Sequence, residues 1–285
     1  GFLRRFLIEA RGGVDAAIAE TDWRALAPPL LPIETGETAG YLIQQTLNAL
    51  ALAALYGPLS LAYALVYGLT GRINMAFGEL AMIGAFGAVF GILTAIGLGV
   101  SGLPAVILAV IVATALAALW GYAIGRVIFV PLANAPTRPF IVATVGLSLA
   151  LSEFFRLAQG TREIWLQPML ETPVALTGGA FAVQVTPMRL LIVAAAVAGL
   201  PALIAMLKWS AFGRAWRATA DDPLMARLSG IDPLLITGQT FILASALAAT
   251  GGAATALNYG GTSYSMGLVI GVKALIACLV GGGTP

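Results

Sequence analysis

The sequence predicts an all-α fold, a polytopic bundle of helices that crosses a membrane several times. Of its 285 residues, 59% are apolar and only 10% are charged, whereas soluble domains carry roughly 25% charged residues. The mean hydropathy is +0.94. A soluble chain of this length would need more polar surface, whereas a membrane protein meets lipid with apolar side chains. The composition therefore indicates an integral membrane protein.

Long stretches without charge define the predicted spans, because one span needs about 20 apolar residues. Residues 80–125 carry no charge and hold two spans, with a break predicted near 97–104, where turn-forming residues cluster. Residues 233–272 hold two more, interrupted near 258–263. Three single spans complete a count of about seven visible spans; they lie at about 45–69, 140–158 and 189–207.

Residues 1–40 differ from the rest, since they mix four arginines with six carboxylates and include three prolines. We expect this stretch to be a peripheral segment, on the periplasmic side, or a fragment of a longer one. Residues 41–285 form the predicted transmembrane domain. The chain lacks an initial Met and stops directly after an apolar run, so we expect it to continue at both ends.

Basic residues predict the orientation, because Lys and Arg of short loops are retained in the cytoplasm. With the loop after the first span inside, few basic residues fall in the short outer loops. Residues 208–233 are then cytoplasmic and residues 159–187 external. The inner set is Arg72, Arg126, Arg138, Lys208, Arg214, Arg217 and Arg227, against Arg162 and Arg189 outside.

Several classes of function are disfavoured by what the sequence lacks. There is no histidine and a single cysteine, Cys278, which argues against metal sites and hydrolytic chemistry. The net charge of +2 gives no field for nucleic acid. No Gly-rich loop with Lys and Ser or Thr is present to bind phosphate, so the chain is not itself an ATPase. We expect no enzyme activity and no directly bound cofactor.

The predicted loop 208–233 contains the signals of a complete short helix. Asp222 suits the N-cap, Pro223 suits the first helical position, and Gly230 suits a left-handed stop. One interpretation is a helix that docks a cytoplasmic partner. The other is an amphipathic connector held at the membrane surface by the two tryptophans of the loop.

Four ordered segments resemble the permease subunits of ABC importers for branched-chain amino acids and related amides. In that superfamily a cytoplasmic loop forms a coupling helix that sits on the ATPase, and Ala226 and Gly230 fit its spacing. The similarity is spread over about 45–285. This chain departs from the pattern at two positions. Phe77 stands where the family usually has histidine, and Leu224 stands where the coupling-helix motif of the superfamily has an acidic residue. The segments are 71–85, 136–146, 213–218 and 263–283.

The resemblance implies an inner-membrane permease with eight spans in the full chain, moving branched-chain or related aliphatic amino acids, or urea and short amides. It implies two ATP-binding cassette subunits that hydrolyse ATP, a second paralogous permease and a periplasmic substrate-binding protein. The residues it assigns to ATPase coupling are Gly213, Arg214, Arg217, Asp221, Asp222, Ala226 and Gly230.

Polar residues within predicted spans are candidates for the substrate pathway, because a charge at bilayer depth is costly. Asn74, Glu79 and Lys273 form this set. Glu79 either lines the route or is a structural carboxylate, and Lys273 either pairs with Glu79 or faces the inside of the bundle. Glu153 and Arg156 have the spacing of a local ion pair.

Glycine is abundant, with 34 residues, and its spacing predicts close contacts between helices, either within the chain or against another subunit. Gly84, Gly87 and Gly91 form one such surface and Gly121 and Gly125 another.

Two rival classes remain open. A secondary transporter or channel for small polar solutes fits the spans equally well, although ion coupling normally needs more charge within them. An intramembrane enzyme would need clustered catalytic side chains at bilayer depth, and the sequence supplies none.

Overall fold

The structure is a computed structural model and describes residues 34–132, 135–167, 170, 172–179 and 182–282. Of the predicted peripheral segment, 1–40, residues 1–33 lie outside the described residues. The described part is mainly helical, which confirms the predicted fold class.

The helices alternate with short turns, two-residue strands and one long connection. The helices are α1 (Glu37–Thr70), α2 (Phe77–Gly97), α3 (Leu103–Leu132), α4 (Thr137–Gln159), α5 (Pro187–Trp209), α6 (Ala211–Asp221), α7 (Pro223–Leu228), α8 (Pro233–Tyr259) and α9 (Met266–Val280). The strands are β1 (Glu34–Thr35), β2 (Ile164–Trp165), β3 (Val174–Ala175), β4 (Gly178–Gly179), β5 (Gln184–Val185) and β6 (Gly261–Thr262).

Six helices of the described ranges, α1 to α5 and α8, are long and apolar enough to cross a membrane. The seventh apolar helix is α9, with 15 residues, or about 22 Å at 1.5 Å per residue. These helices correspond to the seven predicted spans, and the break predicted near 97–104 lies between Gly97 and Leu103. Helix α1 starts eight residues before the predicted span. The prediction followed the apolar run, whereas the helix also includes the polar residues that precede this run.

The chain divides into two compact units. The smaller contains the described residues 34–47 and 172–187. In it β1 pairs with β4 in parallel and β3 pairs with β5 in antiparallel fashion. The Gln44 side chain donates to the Gln184 carbonyl at 3.0 Å and accepts from its N–H at 2.8 Å. The backbone N–H and carbonyl of Gln184 are thereby both satisfied.

The larger unit contains the helical bundle, in which α2 is the central element. Helix α2 packs against α3, α8 and α9, and most of its residues are buried. A helix that is buried on all sides needs no polar face, which explains why α2 is apolar all round. In the same unit, β2 pairs with β6 in antiparallel fashion.

Glycines allow the backbones around α2 to touch. A Cβ on Gly84 would lie 2.3 Å from Cα of Ala249 in α8, and one on Gly91 would lie 2.4 Å from Cα of Ala109 in α3. A Cβ on Gly121 would lie 1.8 Å from Oγ of Ser245. Small residues permit this close approach in lipid-embedded bundles. Of the two predicted uses of these glycines, packing within the chain is confirmed.

Helix α3 contains a π-helical turn at Gly125–Phe129 before its last residues. Pro58 lies inside α1 and Pro201 inside α5. Proline removes a backbone donor within a helix and bends it. Both prolines therefore lie within continuous helices.

Candidate functional site

The connection from α1 to α2 is held by one side chain of α1 itself and one of α4. The N–H of Asn74 donates to the Tyr63 hydroxyl at 3.0 Å, and the N–H of Met75 donates to Oγ1 of Thr144 at 3.3 Å. Oδ1 of Asn74 accepts from the N–H of Ala76 at 3.0 Å. Asn74 is only 3% exposed, so this candidate pathway residue shapes a buried turn.

Glu79 lies in the first turn of α2 and is 2% exposed. Its Oε1 accepts a hydrogen bond from Oγ of Ser148 in α4 at 2.8 Å. Its Oε2 is buried and has no hydrogen-bond partner among the described residues. A Cβ on Gly267 of α9 would lie 2.4 Å from Oε2. The carboxyl group therefore occupies the junction of α2, α4 and α9.

Lys273 does not pair with Glu79 in the structure, so the first of its two predicted alternatives is wrong. Nζ of Lys273 lies 3.4 Å from the Tyr56 hydroxyl and 5.6 Å from the centre of its ring. The reason is helix rotation: Gly271 faces Gly78 of α2, and a residue two positions on lies about 200° further round the helix. The Lys273 side chain is exposed on the surface of the described chain.

Sequence reasoning missed the partners of these candidates, which are Tyr56, Tyr63, Thr144 and Ser148. Thr144 and Ser148 are both buried on α4. Their spacing of four residues places them on one helix face. This spacing is the signal by which the sequence could have identified them. Nothing in the sequence marks the two tyrosines, since isolated aromatic residues are common in membrane spans.

The arginines of the predicted coupling loop bind the end of α5. Arg214 Nη1 donates to the Trp209 carbonyl at 3.0 Å, and Arg217 donates to the carbonyls of Leu207 and Lys208. The last carbonyls of a helix lack intrahelical partners, and a cation there also complements the helix dipole. Both side chains therefore cap α5 and join it to α6.

Gly213 belongs to the same junction. A Cβ at Gly213 would lie 1.8 Å from the Leu207 carbonyl oxygen, so a larger residue would push α6 away from α5. Oγ of Ser210, the N-cap of α6, accepts from the N–H of Gly213 at 3.0 Å. Gly213, Arg214 and Arg217 therefore hold α5 and α6 together within this chain, which the sequence alone did not reveal.

Helix α7 has the predicted caps at both ends. Oδ1 of Asp222 accepts from the N–H groups of Leu224 at 2.8 Å and Met225 at 3.1 Å. Gly230 has φ +81°. The N–H of Ile231 donates to the Ala226 carbonyl at 2.9 Å, and Gly230 donates to Arg227 at 3.0 Å. These two hydrogen bonds form the Schellman motif that ends many helices. The predicted limits of the helix are therefore confirmed.

The two sides of α7 differ in exposure. Ala226 is 2% exposed and faces the rest of the chain, whereas Leu224, Met225 and Leu228 are exposed, the last by 76%. Asp221 is the last residue of α6 and is also exposed. Helix α7 thus presents an apolar surface, defined by these three side chains, within an otherwise polar connection.

The two tryptophans of this loop have different environments. The Trp216 ring packs against α1, where a Cβ on Gly68 would lie 2.9 Å from the ring. Trp209 is exposed. Helix α6 is therefore fixed to α1 by Trp216 and to α5 by its arginines, with Trp209 available to the membrane interface.

Residues 45–285 match the family described as branched-chain amino acid transport system, permease component. The chain belongs to this permease family. The match covers all of α2 to α9 and most of α1, and it includes each candidate site residue. Within the described ranges, no three His, Cys, Asp or Glu side chains cluster as a metal ion would require.

Individual members of the permease family are similar over most of their length. The chain is 31% identical over 245 residues to the high-affinity branched-chain amino acid transport system permease protein LivH of Escherichia coli K12, covering 85% of this chain and 79% of that protein. It is 30% identical over 244 residues to the permease protein BraD of Pseudomonas aeruginosa, covering 85% and 80%. No solved structure gives a significant match.

Membership of the permease family agrees with the resemblance found in the sequence. The matched family is one of transport components, which agrees with the expectation of a transport subunit. The six long apolar helices are those of a multi-pass membrane protein.

Proposed function

We propose that this chain is the permease subunit of an ATP-driven importer that moves branched-chain or related aliphatic amino acids across the bacterial inner membrane. ATP is hydrolysed by separate ATP-binding cassette subunits, a second permease completes the route, and a periplasmic protein delivers substrate. The single observation that carries the coupling part is the exposed apolar surface of α7, capped at both ends. The substrate class follows from the names of the relatives, LivH and BraD.

Helix α7 suits the role of a docking element for the ATPase. An exposed apolar surface costs free energy in water, and such patches mark interaction sites. The caps at Asp222 and Gly230 hold the helix ends, so docking would order little additional backbone. The basic residues of the loop favour a cytoplasmic location, on the side where ATP is found.

Movement of α7 would reach the spans through α6. Arg214 and Arg217 bind the terminal carbonyls of α5, and Trp216 packs on α1. A displacement imposed by the ATPase on α7 is then shared with α5 and α1 rather than absorbed by a flexible connection. In this proposal Gly213 and the two arginines transmit force, and α7 receives it.

Lys273 and Tyr56 mark the part of the surface that faces the substrate route. Lys273 is the eighth of the 15 residues of α9, at the middle of the helix. An exposed ammonium group at bilayer depth is too costly to face lipid. We infer that this side of α1 and α9 borders an aqueous route or the second permease, with Asn74 and Glu79 forming the buried support behind it.

Reconstitution tests the proposal directly. The chain, its second permease and the ATPase should copurify, and vesicles containing the complex should accumulate leucine only with ATP and the binding protein. Leu228→Asp should weaken copurification of the ATPase, because it places a charge in the docking surface. Leu228→Met keeps that surface apolar and is the matched control. ATP-independent uptake by the permeases alone would instead favour the alternative, a secondary transporter or channel.

A further inference from the structure

A polar cavity between α1, α5 and α8 has no role in the site described above. Its volume is about 110 Å³, which is room for the polar end of a small ligand and less than the roughly 300–1,000 Å³ of a whole drug-sized site. The polar side chains that line it are Asn48, Arg189, Asn258 and Tyr259. They come from the end of α8, the start of α5 and the fourth turn of α1. No acidic residue is among the described residues lining this cavity.

Arg189 is the group that gives the cavity its charge. It is partly buried, and its Nη1 donates to Oδ1 of Asn48 at 2.8 Å. Among the residues that the structure describes, no carboxylate lies within ion-pair distance of Arg189. A guanidinium has five N–H donors arranged as a fork that matches a carboxylate. The cavity therefore provides a positive charge and hydrogen-bond donors without a counter-ion.

An apolar cavity adjoins the polar one. Its volume is about 220 Å³ and it is lined by side chains of α1, α3, α5 and α8, among them Val106, Leu200 and Leu257. Ile192 lines both cavities. Thr250 is the one polar side chain of the described lining. A ligand that placed an anionic group at Arg189 could thus extend an aliphatic chain into apolar surroundings.

We propose that the two cavities together bind the amino-acid substrate. The carboxylate binds Arg189, oxygen atoms of Asn258 and Tyr259 accept from the ammonium group, and the aliphatic side chain enters the apolar cavity. In the proposed orientation Arg189 lies at the external end of α5, where a binding protein would release substrate. Selection against polar amino acids follows, because their side chains would lose hydrogen bonds with water there.

This inference rests on the proposed function and names the substrate-binding residues within it. A phospholipid also joins an anionic group to an aliphatic chain. The test must therefore distinguish binding of an amino acid from binding of a phospholipid. The amino acid is the occupant we assign, because the neutral acceptors Asn258 and Tyr259 complement an ammonium group that lies beside the carboxylate.

The test is equilibrium binding of radiolabelled leucine to the purified complex without the binding protein. Arg189→Gln should weaken leucine binding by about tenfold or more, since a hydrogen-bonded charge is lost. Arg189→Lys keeps the charge without the fork and should have an intermediate effect. Arg162→Gln removes an exposed arginine outside the cavity, and should bind leucine normally. Leucinamide, which has no carboxylate, should compete poorly.

Unchanged leucine binding in Arg189→Gln would overturn the assignment, and so would equal competition by leucinamide. Loss of copurifying anionic lipid from Arg189→Gln with leucine binding intact would assign the cavity to lipid instead. Absence of saturable leucine binding in a wild-type complex that transports leucine would also overturn it. A wild-type complex that failed to take up leucine would contradict the proposed function itself, and this inference with it.

Discussion

At the scale of single residues, the buried carboxyl group of Glu79 is the most informative feature. It accepts a hydrogen bond from Ser148 on one side and lies against Gly267 on the other, where there is no room for a Cβ. Glutamate is expensive to bury in a bilayer unless it has a partner or a function. One hydrogen bond to a neutral hydroxyl is weak compensation, which argues for a role beyond packing.

Glu79→Gln should reduce leucine uptake several-fold while leaving membrane insertion and complex assembly intact. The amide oxygen can still accept from Ser148, so the link between α2 and α4 is kept while the ionisable group is removed. Uptake by reconstituted vesicles is the measurement. Ser148→Ala, which keeps the carboxyl group but loses the link, is the control and should be milder. Full activity of Glu79→Gln would reduce this residue to a structural role.

At the scale of helices, the crossing of α2 and α9 depends on paired glycines. A Cβ on Gly78 would lie 2.0 Å from the carbonyl oxygen of Gly267 and 2.6 Å from Cα of Gly271. Both contacts are with backbone, which cannot rotate away. The two helices therefore meet at a distance that only glycine allows at these positions.

Gly78→Ala should lower the free energy of unfolding by about 1–3 kcal/mol or more, because overpacking forces the helices apart. Gly146→Ala in α4 is the matched control: its Cβ would meet nothing within 4 Å, and helix propensity favours alanine by up to about 1 kcal/mol. Thermal unfolding of the detergent-solubilised proteins measures both. Equal stability of the two variants would contradict the close crossing.

The capped helix α7 permits a similar comparison at one position. Gly230→Val should strain a residue with φ +81°, at a cost of about 1–3 kcal/mol. Asparagine tolerates this conformation, so Gly230→Asn is the control. We expect Gly230→Val to insert normally but to lose substrate-stimulated ATP hydrolysis in the reconstituted complex, while Gly230→Asn retains most of it. Normal stimulated hydrolysis in Gly230→Val would leave the loop a surface connector.

How far the sequence predicted these features depended on whether the signal was local. Asp222, Pro223 and Gly230 limit α7 through bonds to near neighbours, so their roles could be predicted. The apolar runs located the spans but not the helix ends, since α1 continues into polar sequence at Glu37. The contacts of Lys273 depend on how α9 is rotated against α2, and a single sequence carries no signal for that rotation.

The arginines of the α5–α6 junction illustrate a further limit. Their spacing matched a family pattern, and the resemblance assigned them to ATPase coupling without showing which atoms they contact. In the structure Arg214 and Arg217 bind carbonyls of Trp209 and Lys208. A motif can therefore be correct while its chemistry lies within the chain, because position in a pattern does not show which atoms a side chain meets.

At the scale of the whole molecule, the helices and the basic loops give one consistent path through the membrane. Five long helices precede the α6–α7 connection, and α8 and α9 follow it. With the connection from α1 to α2 inside, we predict that the long connection between α4 and α5 is external and that α6 and α7 are cytoplasmic.

Cysteine labelling tests this path. Thr172 and Ser229 are both exposed, and each can be changed to cysteine in a Cys278→Ala background. A membrane-impermeant thiol reagent should label Thr172→Cys in intact cells, after removal of the outer-membrane barrier. It should label Ser229→Cys only once the inner membrane is also opened. The Cys278→Ala parent, which should remain unlabelled, is the control. The reverse labelling pattern would invert the orientation.

The length of α9 has a consequence for how the protein sits in lipid. At about 22 Å, the helix is shorter than a hydrocarbon core of about 30 Å. The chain before it avoids unpaired backbone groups, because β6 pairs with β2 and the N–H of Leu166 donates to the Gly260 carbonyl at 2.7 Å. This small ladder can lie below the headgroups at little cost. The ladder then supplies the depth that α9 does not reach, so the short helix need not create a hydrophobic mismatch with the bilayer.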